Sequence, residues 1–245
     1  MKLNQLNAIS PIDGRYFGKT DSLAPYVSEF GLIKYRIFVE IEYFIALCEI
    51  PLPSLKDFPE DLFPTLRSWY ENIKEEDVEW IKDKEKITNH DVKAVEYFIK
   101  HKMKELNRGL DSYLEFVHFG LTSQDINNTA IPVSLKQSHD DIILPKLLMV
   151  KNLLNDLAEQ WKDIPLLAHT HGQPASPTRL GKEMKVFVER LERQLELLAQ
   201  VPFTGKFGGA TGNFNAHTVA YPEINWVEFA GNLCERLGIK RSKLT

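Results

Sequence analysis

The sequence predicts an all-α fold, a small N-terminal helical domain followed by a long-helix bundle. Three observations predict it. Apolar residues recur at three- and four-residue steps along most of the chain. Residues 184–198 carry a heptad seam. Runs with the two-residue alternation of strands are few.

Taken in order, residues 1–20 read as an irregular arm, with turn signals at Ser10-Pro11 and Asp13-Gly14. A helix is expected from about Ser22 to Glu49, where Val27, Phe30, Ile37, Ile41, Phe44 and Cys48 share a face. Pro51 and Pro53 stop it. Helices over 60–72 and 75–86 follow. Thr88 and Asp91 form a capping-box-like pair, after which Val92, Val95, Ile99 and Met103 line one face. Asn107-Arg108-Gly109 reads as a break, dividing a domain over 1–110 from a bundle domain over 111–245. Residues 123–162 read as one long helix, kinked at Pro145. Over 178–200, Met184, Val188, Leu191, Leu195 and Leu198 form the heptad seam of a helix packed lengthwise on others. After Gly205, Gly208, Gly209 and Gly212, Pro222 opens a last helix with Trp226, Phe229, Leu233 and Leu237 on one face and Gly238 as its stop.

Composition excludes several classes of function. A chain of 245 residues with 43% apolar and 26% charged residues can bury an ordinary core. Its formal charge of −4 gives no general attraction to nucleic acid or an anionic membrane. No window approaches the ~20 apolar residues of a membrane span. Met1 to Ser10 has no long apolar stretch, so no signal peptide is expected and the cytoplasm is the default compartment. Cys48 and Cys234 lie in apolar helical runs and are expected to be buried reduced thiols. No Cys/His cluster has zinc spacing.

Five polar clusters stand apart from the core pattern. Asp13-Gly14-Arg15-Tyr16 places an arginine fork, suited to phosphate or carboxylate, in a turn where a plain surface arginine is also common. Thr88-Asn89-His90-Asp91 sits at a helix start, where the backbone favours an anion. Capping accounts for Asn89 and Asp91 but less readily for His90. Thr122-Ser123-Gln124-Asp125-Ile126-Asn127-Asn128 opens the long helix; capping explains Thr122 and Asp125 but not the polar density that follows. His169-Thr170-His171-Gly172-Gln173 lies between two helices, in a loop bounded by Pro165 and Pro177. Two histidines one residue apart cannot share a helical face, so this is no i, i+4 metal pair; the readings are proton transfer or a plain loop histidine. The glycines between Gly205 and His217 lack a preceding strand, which disfavours a dinucleotide site and leaves close packing or close approach to a ligand.

In this order the clusters resemble the fumarase/aspartase superfamily of lyases. The carrying segments are Ser10-Pro11-Ile12-Asp13-Gly14-Arg15-Tyr16, the run from Thr88 to Glu96, the run from Phe119 to Asn128, and Thr170-His171-Gly172-Gln173-Pro174-Ala175. Gly209-Ala210-Thr211-Gly212-Asn213 resembles a further glycine motif. The first two favour the adenylosuccinate branch. The resemblance implies a bundle fold of this superfamily, a homotetramer, no metal or organic cofactor, and elimination of fumarate from a nucleotide substrate carrying a succinyl group. It implies His171 as general acid, with His90 orienting it or the substrate. Arg15 and Tyr16 would hold the phosphate end, Asn89 and Asp91 the nucleotide, and Thr122 and Ser123 a carboxylate. The superfamily's flexible loop with its catalytic serine has no counterpart here, so the chain is expected to be inactive alone and to expose apolar surface. A related lyase acting on argininosuccinate or aspartate is one rival. A helical scaffold without chemistry is another, which would leave the polar clusters unexplained.

Overall fold

A computed structural model describes residues 6–244; the first five residues of the expected arm lie outside the described residues. The chain forms two compact units, one of residues 1–138 with 203–245 and one of 139–202.

In the larger unit the arm turns through two short helices, α1 (Phe17–Thr20) and α2 (Ala24–Val27). The long helix α3 (Glu29–Glu49) begins later than its apolar pattern suggests. Ser28 is extended, and its hydroxyl caps the helix by accepting from the Gly31 N–H at 3.1 Å. Gly31 also lies so close to the Tyr26 backbone that a Cβ would meet it at 2.8 Å. Rather than presenting one apolar face, α3 is buried all round, through Ile33, Ile37, Ile41, Tyr43, Ile45 and Leu47. That is the signature of a helix at the centre of a unit.

The proline-punctuated stretch folds Leu52, Leu55 and Phe58 into the core ahead of α4 (Phe63–Glu71) and α5 (Glu75–Thr88). Asn89 ends α5 in the left-handed conformation, and α6 (Asp91–Glu105) starts two residues later. The helix start expected at Thr88–Asp91 is therefore real, but its cap is His90, because Thr88 still belongs to α5. Beyond a 3-10 segment at Asp111–Phe116 comes α7 (Ser123–Ser138). The compact units do not part near residue 110, because α6 and α7 both pack on α3. Helical backbone continues past α7 as a π turn at His139–Ile143 and then α8 (Leu144–Gln160). Pro145, which lacks an N–H and crowds the carbonyl four residues back, accounts for the π geometry at the position of the expected kink.

The smaller unit starts at that π turn and holds α8, a hairpin of β1 (Pro165–Thr170) and β2 (Gln173–Arg179), and α9 (Leu180–Ala199). The segment expected as a loop is thus an antiparallel hairpin, pairing Thr170 with Gln173 across a two-residue turn. Both turn residues, His171 and Gly172, have positive φ, 51° and 73°, the type I′ geometry that matches strand twist. Gly181 lets α9 close on α8, since a Cβ there would lie 2.2 Å from the Ala158 carbonyl oxygen. Within this unit only Ala158 and Val188 are buried apolar side chains among the described residues, and Met149, Leu153, Phe187 and Leu197 are more than half exposed. Of the heptad seam, Val188 is buried, Met184, Leu191 and Leu195 are half-buried, and Leu198 is exposed.

The remaining segments return to the larger unit: β3 (Thr204–Gly205), α10 (Asn215–Ala220), α11 (Trp226–Arg236) and β4 (Lys240–Arg241), with β3 and β4 pairing in parallel. Trp226, Phe229, Leu233 and Leu237 are buried as the helical spacing implies, and Gly238 at φ 81° ends the helix. α11 begins at Trp226 rather than Pro222, because the Asn225 side chain caps it. Cys234 is buried and Cys48 half-buried, and neither is paired. Burial pushes their thiols up, to about 11 and about 12, so both stay protonated and unreactive. Among the described residues no helix is long and apolar enough to cross a membrane.

Candidate active site

The starts of α6 and α7 come together. His90, the N-cap of α6, accepts the Lys93 N–H on Nδ1 at 3.1 Å. Its Nε2 lies 3.1 Å from the Ser123 hydroxyl oxygen at the head of α7. The capping bond fixes the neutral ring's tautomer. With Nδ1 accepting, Nε2 carries the proton and donates to Ser123. The Ser123 hydroxyl then keeps its own hydrogen for an outside acceptor. Next to it, the Thr122 hydroxyl has no protein partner among the described residues. Two hydroxyl donors and a capping imidazole at two helix starts suit a carboxylate.

Asp125 fixes this corner from below. Its carboxylate is fully buried and accepts from the Thr122 N–H at 2.9 Å, the Gly208 N–H at 2.9 Å, the Gly209 N–H at 3.1 Å and the Lys206 ammonium at 2.7 Å. The glycine run therefore serves close backbone packing. A Cβ on Gly208 would lie 2.9 Å from the Gly212 carbonyl oxygen, and Gly209 and Gly212 have φ of 80° and 77°.

Asp91, expected to contact the nucleotide, has protein partners on both carboxylate oxygens. One carboxylate oxygen accepts from Arg36 at 2.5 Å and the other from the Val92 N–H at 2.8 Å. Desolvation raises its pKa, but the Val92 bond and the Arg36 charge outweigh it and leave the group below the usual range. Arg36 is itself buried in α3 and reaches on to the Asn127 side-chain oxygen at 2.9 Å. Sequence reasoning missed Arg36 and also Glu40, which is fully buried and 2.5 Å from His118 Nδ1. The signal was present, as charges inside the otherwise apolar stretch of α3.

Asn89 is exposed, with its backbone at φ 50° between α5 and α6. Arg15 and Tyr16 lie exposed in the Ser10–Tyr16 turn, the guanidinium 5.5 Å from the centre of the Tyr16 ring. Among the described residues no hydrogen bond or ion pair joins them to His90, Thr122 or Ser123. His171 is in the smaller unit, exposed at the tip of the hairpin turn. A side-chain-bearing residue at φ 51° costs of order 1 kcal/mol, and strain of this kind recurs at functional positions.

A family model described as Lyase matches residues 14–240. The chain is 53% identical over its whole length to an adenylosuccinate lyase of Dictyostelium discoideum, and 44% identical over its whole length to one of Escherichia coli K12; each match covers 54% of the relative. The chain thus spans about half the length of these curated relatives. Among solved structures it is similar to a fumarate lyase from Mesorhizobium sp. BNC1, with a TM-score of 0.72 and 20% identity over 92% of this chain and 49% of that one. It also matches the 3-carboxy-cis,cis-muconate lactonizing enzyme of Pseudomonas putida, with a TM-score of 0.68 and 20% identity over 91% of this chain and 48% of that one. At that identity the structures speak for the helical fold alone. With the family model covering nearly all of the chain, the protein belongs to this family of lyases.

Proposed function

We propose that the chain is the N-terminal portion of an adenylosuccinate lyase, which eliminates fumarate from adenylosuccinate and from the succinylated aminoimidazole carboxamide ribotide of purine biosynthesis. The identity to adenylosuccinate lyases over the whole chain carries this reading. In the reaction a base takes a proton beside a carboxylate, the C–N bond breaks, and the amine leaves with a proton from an acid. Negative charge grows on the carboxylate as the first proton departs. Donors already aimed at it stabilise that charge without reorganising. The hydroxyls of Thr122 and Ser123, with His90 donating behind Ser123, have this character. His171 is the general acid, held by a short hairpin so that the proton is delivered from a fixed place. Arg15 and Tyr16 hold the phosphate, and Asn89 contacts the nucleotide. Asp91 acts through Arg36, because its carboxylate is already committed.

The enzyme is a cytoplasmic homotetramer, and its subunit contacts cover the exposed apolar surface of the smaller unit. The catalytic base comes from chain outside these residues, so the fragment alone is inactive. A chimera joining this chain to the C-terminal half of the Dictyostelium relative tests the assignment. It is expected to release fumarate from adenylosuccinate, and its His171→Ala form to lose at least about 100-fold in kcat. A His171→Ala chimera of near-normal turnover sinks the acid assignment.

A further inference from the structure

We infer that Glu40 and His118 are positioning residues, a pair with a fully buried carboxylate and a half-buried imidazole that fixes the turn presenting Thr122 and Ser123. The segment from Val117 to Leu121 joins the 3-10 segment to α7 and contains two left-handed residues, His118 at φ 62° and Gly120 at φ 66°. A left-handed histidine is unfavourable locally, so its surroundings must hold it there. They do so from α3. Glu40 Oε1 lies 2.5 Å from His118 Nδ1, and one turn on, the Tyr43 hydroxyl donates to the Phe119 carbonyl at 2.5 Å.

Glu40 has no other task in the described structure. It is fully buried, and its second oxygen, Oε2, has no protein partner. Burying a carboxylate is costly, and an ion pair in such a place is better suited to fixing one conformation than to raising stability. Above the turn, His217 closes the same cage. Its Nε2 lies 3.0 Å from the Tyr43 hydroxyl, and a Cβ on Gly120 would meet its ring at 2.7 Å. The Leu121 N–H then bonds to the His118 carbonyl at 3.3 Å, and Thr122 follows directly. The ion pair is thus linked to Ser123 through the four residues from Phe119 to Thr122.

The charged groups acting on His118 are Glu40 from α3 and Glu96 and Lys93 from α6. Desolvation lowers the imidazole's pKa, but the Glu40 charge and hydrogen bond, helped by Glu96, outweigh it and leave the pKa raised. The turn is therefore most firmly held while His118 is charged.

That this turn receives a carboxylate rests on the lyase reading; that the pair holds it does not. The test measures amide hydrogen exchange by NMR on this chain, as wild type, Glu40→Gln and His118→Asn. Asparagine tolerates the left-handed backbone, so the second variant removes the ring while sparing the φ angle. Both variants are expected to speed exchange at Leu121, Thr122 and Ser123 by at least about tenfold relative to amides of α4 and α11. In the wild type, protection at these three amides, corrected for intrinsic exchange, should fall as pH rises through the His118 titration, and this step should vanish in His118→Asn. Unchanged local exchange, or a rise of equal size in every element, overturns the inference. Fumarate is the second probe. It should shift the Ser123 amide in the wild type and bind at least about tenfold more weakly to Glu40→Gln. A wild-type Ser123 that ignores fumarate counts against the lyase reading, and the exchange data still decide the role of the pair.

Discussion

At the scale of single residues, the site depends on which atoms are already occupied. Lys93 takes Nδ1 of His90, and that bond makes Nε2 a donor and frees the Ser123 hydrogen. His90→Gln preserves an acceptor at the cap but not this relay. In the chimera it is expected to lower kcat/KM by about 10- to 100-fold, with thermal stability changed by under about 1 kcal/mol. Asp125 behaves in the opposite way. Its four donors leave it no chemistry to do, so Asp125→Asn should cost about 3–5 kcal/mol in a denaturant melt, because Lys206 and two glycine amides lose a buried anion. Much of this was legible in advance. Polar density beyond what capping needs marked the head of α7, and His90 stood out at the start of α6, whereas the roles of Thr122 and Ser123 came from the family resemblance. Arg36 and Glu40 were not picked out, because a helix read for its apolar face gives no weight to charges within it, and only the fold shows that α3 has no solvent face.

At the scale of elements, the helices follow their apolar spacing and the errors fall where backbone geometry decides. The Ser22–Glu49 pattern is interrupted at Ser28, which is extended, and the 123–162 pattern survives Pro145 through a π turn. The hairpin was hidden because Pro165 and Pro177 read as loop punctuation, whereas an edge or a two-stranded ribbon tolerates proline. Its turn chemistry was visible all the same, as a His-Gly pair able to adopt positive φ. Close helix contact in the smaller unit rests on Gly181. Gly181→Ala should lower the melting of α8 and α9 by about 2 kcal/mol or more, read by far-UV circular dichroism, since the new Cβ meets Ala158 and Lys162 backbone that cannot yield cheaply.

At the scale of the whole molecule, the buried ionisable groups set the dependence on pH. His217 is 1% exposed, and desolvation pushes its imidazole down to about 4, so it folds neutral. Its folded pKa lies below the ordinary value of 6.5, so the unfolded chain binds the extra proton between those values. Stability is therefore whole above about pH 6.5 and falls by about 3 kcal/mol as pH drops towards 4. Glu42 and Glu96 add to the acid loss. Desolvation alone raises them, but Arg67, Tyr70 and Arg236 on Glu42, and Lys93 and Lys100 on Glu96, outweigh it and hold both below the usual range. The stability they add is present above the ordinary carboxylate pKa and is lost as pH falls through the lowered one. His118 has the reverse sign. Its raised pKa gives stability that is complete below 6.5 and fades as pH rises through the folded value. Urea melts between pH 4 and 9 should therefore show a maximum near neutrality, and His217→Phe should flatten the acid side.

The smaller unit carries the larger question, because among the described residues it has more large apolar side chains exposed than buried and the fold leaves His171 of its hairpin turn in solvent. Both facts fit a protein whose active site is completed by other chain. Fumarate release from adenylosuccinate, measured on this chain alone and again after mixing with the C-terminal half of the Dictyostelium relative, tests this most directly. Activity only in the mixture, abolished by His171→Ala, is the predicted result. Equal turnover by the chain alone would contradict it, because the base would then have to lie among residues already placed in the fold.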